Sequence, residues 1–183
     1  MLFRKKKSES PNHIEKYLDQ QNRLLSSLSD NDGTLAEQIK SYEYAFLVAD
    51  PPLRNAVSHE LKLADLYIKA DQNDKAWGYL NRMYSNHMTD DKGVLWKIRD
   101  TQAKILKKEG KYAEAIEMYL LKYAEKSCDY NDQKDAILKD IKPCANKLKW
   151  DEKQIEKIIH IISKECGKFN AEKVTKEYRK IIR

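Results

Sequence analysis

Glycine, proline and cysteine are all scarce in this chain, and each scarcity removes a class of chemistry. The five glycines never fall into the GxxxxGK or GxGxxG spacing whose bare backbone amides cradle a phosphate. No Gly-x-Ser-x-Gly elbow presents a nucleophile. The three cysteines, Cys128, Cys144 and Cys166, lie far apart with no CxxC pair. An odd, scattered set of thiols reads as small packed hydrophobes, not as a disulfide framework or a zinc site, and it fits a reducing compartment, the cytoplasm. No apolar run approaches the roughly 18 residues that a membrane span needs. Met1, Leu2 and Phe3 precede Arg4, Lys5, Lys6 and Lys7 with no apolar stretch behind them, so the start is not expected to be a secretory signal. Alternating runs of Val, Ile and Thr are missing as well, which argues against sheets.

What the chain has in abundance is charge. Charged residues make up 35% of it and hydrophobic ones 41%, a mixture suited to long helices with solvated outer faces. Its 183 residues are enough to bury a core without cross-links. The net charge of +6 is uneven: residues 1–10 carry +3, residues 11–125 carry −2 and residues 126–183 carry +5. Basic ends around a nearly neutral middle can attract anionic partners, a statement about association and not about fold.

Apolar periodicity near 3.6 predicts about nine helices. The first covers 12–28, with Ile14, Tyr17, Leu18, Leu24, Leu25 and Leu28 on one stripe. Thr34 caps the second, near 35–49, which Pro51 and Pro52 must stop because proline lacks an amide proton and drives the preceding residue out of the helical region. Helices follow at about 53–70, 74–87, 94–109 and 111–126, with Gly110 placed where a helix finishes in a left-handed conformation. Three more run from Asn131 towards Leu148, with Pro143 expected to kink or split the helix, from an Asp151 cap to about Cys166, and from an Asn170 cap onward, with Val174, Tyr178, Ile181 and Ile182 inward. Residues 1–11 read as a basic, disordered terminus and 12–183 as a single helical domain.

Between Ala64 and Tyr123 the sequence repeats without gaps at a period of about 39 residues, the range of two-helix solenoid repeats. Ala64 matches Ala103, Ala76 matches Ala115, and Leu66, Tyr67, Leu80 and Tyr84 match Ile105, Leu106, Tyr119 and Tyr123. Alanine at those places lets two antiparallel helices cross closely, with bulky neighbours filling the gaps. The pattern Leu63-Ala64, Tyr67, Asp71, Ala76, Leu80, followed by Ala103, Leu106, Gly110, Tyr112, Ala115 and Tyr119, resembles the tetratricopeptide repeat family. It departs from the usual 34-residue period and lacks a closing proline. Residues 128–183 show no register with these pairs, so the flanking helices must serve as caps. The resemblance implies an all-α fold of antiparallel helix pairs, stacked as a short right-handed α-solenoid with capping helices.

Candidate chemistry is sparse. His59-Glu60 starts a zinc-protease motif, but Leu63 stands where the second histidine is needed. His160, inside Ile158–Ile162, reads as a boundary residue, and no set of carboxylates is marked as catalytic. The reading is therefore not an enzyme, with no catalytic residue, metal or cofactor. Eleven tyrosines read first as core filler with hydroxyls at the rim and second as a binding groove. Trp77 and Trp96 read as packing residues, and Trp150 as a staple ahead of a helix cap.

A stack of helix pairs builds a groove, so the expected function is a protein–protein interaction module or adaptor that holds a peptide or protein partner. The resemblance nominates outward positions on the first helix of each pair, Asn55, Glu60 and Lys62, then Arg99, Gln102 and Lys104. The alternative is a nucleic-acid accessory protein gripping phosphates with its basic ends, Lys173, Lys176, Arg179, Lys180 and Arg183 above all. Interspersed Glu172 and Glu177 point instead to an ordinary solvated helix and to weak, non-specific nucleic-acid contact at most. Membrane-surface docking by residues 1–7 would be weak and reversible. The number of copies stays open.

Overall fold

The computed structural model describes residues 23, 26, 28, 32–48, 57–87, 92–127 and 129–182. Among these there are eight α-helices, a single 3-10 turn at Lys92–Val94, and no strand. None of the described helices is long and apolar enough to cross a membrane. The expected 12–28 helix, the Pro51-Pro52 stop and Cys128 lie outside the described residues, apart from isolated helical positions at 23, 26 and 28. Packing divides the chain into two compact units, residues 1–66 and 67–183.

In the first unit, α1 (Leu35–Val48) starts where the sequence places a cap. The Thr34 hydroxyl and backbone amide both donate to the Glu37 carboxylate at 2.8 Å, and the Glu37 amide donates back to the hydroxyl at 3.4 Å. These bonds satisfy orphan donors of the first turn and hold the Glu37 carboxyl below its ordinary range. Ile39, Tyr42 and Ala45 form the buried stripe of α1. The next helix, α2 (Val57–Lys69), begins in this unit and brings the His59 ring to 6.2 Å from that of Tyr42.

The second unit holds α3 (Asn73–His87), α4 (Leu95–Lys108), α5 (Tyr112–Glu125), α6 (Tyr130–Lys147), α7 (Glu152–Glu165) and α8 (Ala171–Ile181). Its centre is α5, which packs against α4, α6, α7 and α8. Every residue from Tyr119 to Glu125 is buried, so the second half of this helix has no solvent face. Side chains from the other four helices, among them Leu106, Ile137, Ile141, Ile158, Ile162 and Tyr178, complete one continuous core. The connection after α7 closes over the end of α5: the amides of Gly167 and Phe169 donate to the carbonyls of Tyr123 and Ala124 at 3.1 and 2.9 Å. Those are carbonyls that a helix C-terminus leaves without an internal partner. Tyr178 on α8 ties the other end, its hydroxyl donating to the Ala113 carbonyl at 2.7 Å.

The repeat reaches further than the sequence indicated. Three residues 39 positions apart, Asp71, Gly110 and Lys149, adopt positive φ of 57°, 74° and 56°. The bond that closes each turn is the same. The residue after each donates to the carbonyl five positions back: Gln72 to Tyr67, Lys111 to Leu106 and Trp150 to Ala145, at 2.9, 2.9 and 3.0 Å. This is a left-handed helix ending used three times, and it brings α6–α7 into register as a third helix pair. Burial follows the same period, with Ile98 and Ile137, Ile105 and Cys144, and Tyr123 and Ile162 all enclosed. The register is hidden because the marker alanines are gone: Lys142 replaces Ala103 and Gln154 replaces Ala115. Pro143 neither splits nor ends α6, which runs unbroken from Tyr130 to Lys147.

The caps at Asp151 and Asn170 form as read. Asp151 and Gln154 make a reciprocal capping box, and Asn170 accepts from the Lys173 amide.

Two substitutions test the turn. Gly110→Ala should cost about 1–2 kcal/mol, the strain of an L residue in the left-handed region, whereas Lys149→Gly should be neutral or stabilising. Ala115→Leu, at a fully buried position, should cost roughly 1–3 kcal/mol by overpacking. Urea unfolding followed by circular dichroism measures all three, and equal responses at 110 and 149 would mean that the turn is not under this constraint.

Candidate functional site

The nominated residues fall into different settings. Asn55 lies outside the described residues. Glu60 and Lys62 belong to the first unit, Glu60 buried and Lys62 exposed. Arg99, Gln102 and Lys104 all belong to α4, where they join two polar networks organised by α5.

The first network surrounds Glu125, a carboxylate only 2% exposed. Arg99 donates to it through Nε at 3.1 Å and Nη2 at 3.4 Å, and the Tyr84 hydroxyl donates at 2.7 Å. The Arg99 guanidinium also lies 3.9 Å from the centre of the Tyr84 ring, a stacking that a lysine could not reproduce. Its Nη1 donates to Gln102 at 3.2 Å, and Gln102 in turn donates to Asn81 at 2.8 Å. Gln102, nominated as an outward residue, is 1% exposed and serves to tie α4 to α3. Burial, followed by the bond to Glu125, pushes the Tyr84 hydroxyl above its ordinary pKa.

The second network centres on Lys122, whose ammonium donates to Asp100 at 2.6 Å and to Asp140 at 2.7 Å. The Tyr123 hydroxyl donates to the same Asp140 oxygen at 2.7 Å, and Lys104 reaches Asp100 at 2.8 Å. The rings of Tyr119 and Tyr123 flank the ammonium at 5.6 and 5.0 Å. Burial would raise the Asp100 pKa, but the bonds from Lys104 and Lys122 outweigh it and hold the carboxyl below its ordinary value. Burial would likewise lower Lys122, and its two aspartates outweigh that and raise it.

Beside these networks lies an open cavity of about 780 Å³ between α4–α5 and α8. Arg99 and Leu121 contribute from one side. From α8 come Ala171, Thr175 and Arg179 on one ridge, and Glu172, Lys176 and Lys180 on the next. Arg99 alone of the nominated residues lines it. The α8 residues were read only as a basic stripe; with Val174 and Tyr178 as its buried residues, the helix shows the pattern of any solvated amphipathic helix, and nothing in it signals a cavity. Several cations are already paired: Arg179 with Glu117 at 3.5 Å, Lys180 with Glu177 at 2.6 Å and Lys173 with Glu165.

No family model matches the chain, and no curated protein or solved structure matches it either. The site must therefore be understood from its own chemistry. Cys144 is buried in the core and Cys166 partly so. Among the described residues no group of three His, Cys, Asp or Glu side chains could hold a metal ion. His160 is exposed on the groove between α6 and α7.

The Lys122 network sets a pH dependence. Asp100 has a lowered pKa, so its stabilisation is in place above the ordinary value of 3.8 and is lost as pH falls through the lowered one. Lys122 has a raised pKa, so its stabilisation is in place below 10.5 and is lost as pH rises through the raised value. Lys122→Met should cost about 1–3 kcal/mol near neutrality by leaving two carboxylates without their shared donor. In urea titrations from pH 3 to pH 8, a variant curve parallel to that of the natural chain would show that the pair is not coupled to folding.

Proposed function

We propose that this chain is a protein-interaction module: a short right-handed α-solenoid of tetratricopeptide-like helix pairs that holds a peptide or protein segment. The observation that carries this reading is the open cavity between α4–α5 and α8, with the apolar Leu121 and the cationic Arg99 and Lys176 in its lining. A cavity of that kind offers a desolvated anchor and a polar rim, the elements of a peptide site. The left-handed turn supports the solenoid, because it recurs three times at a constant step of 39 residues. Arg99, already fixed by Glu125 and Tyr84, would present its guanidinium at little entropic cost. The reading of α8 as a phosphate-binding helix is weakened by the pairing of Lys173, Arg179 and Lys180 with glutamates.

Selection from a random peptide library on the full chain should enrich peptides whose binding falls at least about tenfold in Thr175→Trp, which fills the cavity from a half-buried position. Binding should persist at 200 mM salt. A grip on nucleic acid through six phosphates would lose about a thousandfold between 50 and 200 mM salt. No enrichment, or peptides indifferent to Thr175→Trp, would remove the cavity from the function.

A further inference from the structure

A second concavity, of about 850 Å³, runs between α6 and α7. It exists because the third helix pair lacks what closes the pair before it. Ala103 and Ala115 are fully buried where α4 packs on α5, whereas the same repeat positions in α6 and α7 are Lys142 and Gln154. Neither side chain fills the space between the helices: Lys142 is exposed and Gln154 accepts from the Asp151 amide at 3.1 Å, and α6 and α7 approach each other far less extensively than α4 and α5. The gap leaves Leu138, Trp150, Ile155 and Ile159 half-buried along its floor.

The charged lining is divided by helix. Lys134 and Lys142 come from α6, Glu152 and Glu156 from α7, and all four are exposed. Any occupant must therefore offer an apolar strip with an acidic flank towards α6 and a basic flank towards α7. The groove itself meets both demands. A two-fold axis lying along the groove places α6 of one copy over α7 of the other, positive over negative on both sides. The other two-fold axis in that plane, across the groove, would set lysine on lysine. Register agrees as well: Lys142 stands seven residues before the turn residue Lys149 and Glu156 seven residues after it. At 1.5 Å per residue both lie about 10 Å from the turn, so the axis along the groove brings them opposite each other.

We infer that the α6–α7 groove is a self-association surface, at which two copies of this chain pack α6 against α7 and Lys142 against Glu156 in a symmetric dimer. Isologous contact needs a self-complementary patch, and an apolar strip between one row of each sign is such a patch. This inference stands apart from the peptide reading, whose cavity is lined by α4, α5 and α8.

The test is sedimentation equilibrium of the full chain, up to about 0.5 mM because the groove is smaller than the standard interface of about 800 Å² a side. The natural chain should show a reversible monomer–dimer equilibrium. Lys142→Glu and Glu156→Lys should each weaken it by about tenfold or more, since each reversal enters a symmetric dimer twice and sets like charges together. Both positions are exposed, so circular dichroism should show an unchanged fold. The double variant Lys142→Glu/Glu156→Lys should recover dimerisation. A chain that stays monomeric, a dimer indifferent to the single reversals, or a double variant as weak as the singles would overturn the proposal.

Discussion

Enclosure of α5 is the constraint on which the second unit depends. A helix buried on all sides is ordinarily apolar all round, yet α5 carries Lys122 and Glu125 within its enclosed half. Each charge must find compensation or lose several kcal/mol to desolvation. The neighbouring helices supply it: Asp100 from α4 and Asp140 from α6 for Lys122, Arg99 from α4 and Tyr84 from α3 for Glu125. The four helices α3 to α6 are thereby held in one angular arrangement. Directional bonds with fixed partners add to the interdigitated apolar core a demand on the register of these helices. A buried ion pair contributes little net stability by itself, so its structural consequence here is specificity of packing.

That constraint also bears on the binding role proposed for Arg99. Its guanidinium has one face on Tyr84 and two donors on Glu125, so its position is set before any partner arrives. A surface arginine without such support would lose rotamer entropy on binding. The same residue thus belongs to the internal scaffold and to the cavity wall, linking what holds the helices in place with what the cavity can offer.

The helices were legible because their determinants are local. Thr34, Asp151 and Asn170 cap through their own side chains, and Gly110 announces a left-handed residue. The third repeat was not legible, because its determinant is a backbone conformation that lysine can adopt at a cost and that Asp71 adopts as well. Composition masks it: without glycine at 149 and alanines at 142 and 154, similarity of sequence disappears while similarity of backbone remains. The site was legible only in part. Arg99 could be nominated from its helix position, but Glu125 and Lys122 could not, since pairing between helices depends on three-dimensional register. Their trace in the sequence is charge inside an apolar stretch, Leu120-Leu121-Lys122-Tyr123-Ala124-Glu125. On a helix with one solvent face such charges would simply point outward.

The pairs α4–α5 and α6–α7 can then be compared. Their turns at Gly110 and Lys149 are alike to the hydrogen bond, so the difference in how the pairs close must come from side chains. With alanine at both matched positions, α4 and α5 meet closely and the space between them is core. Where those positions are Lys142 and Gln154, α6 and α7 do not meet in this way, although both helices still join the common core through Ile137, Ile141, Ile158 and Ile162. Lys142 stays exposed at the edge of the gap, facing the side of α7 that carries Glu152 and Glu156, and the apolar floor between the two helices is left open. The floor stays in water until something covers it, and the rows of opposite charge on its two helices restrict what that can be.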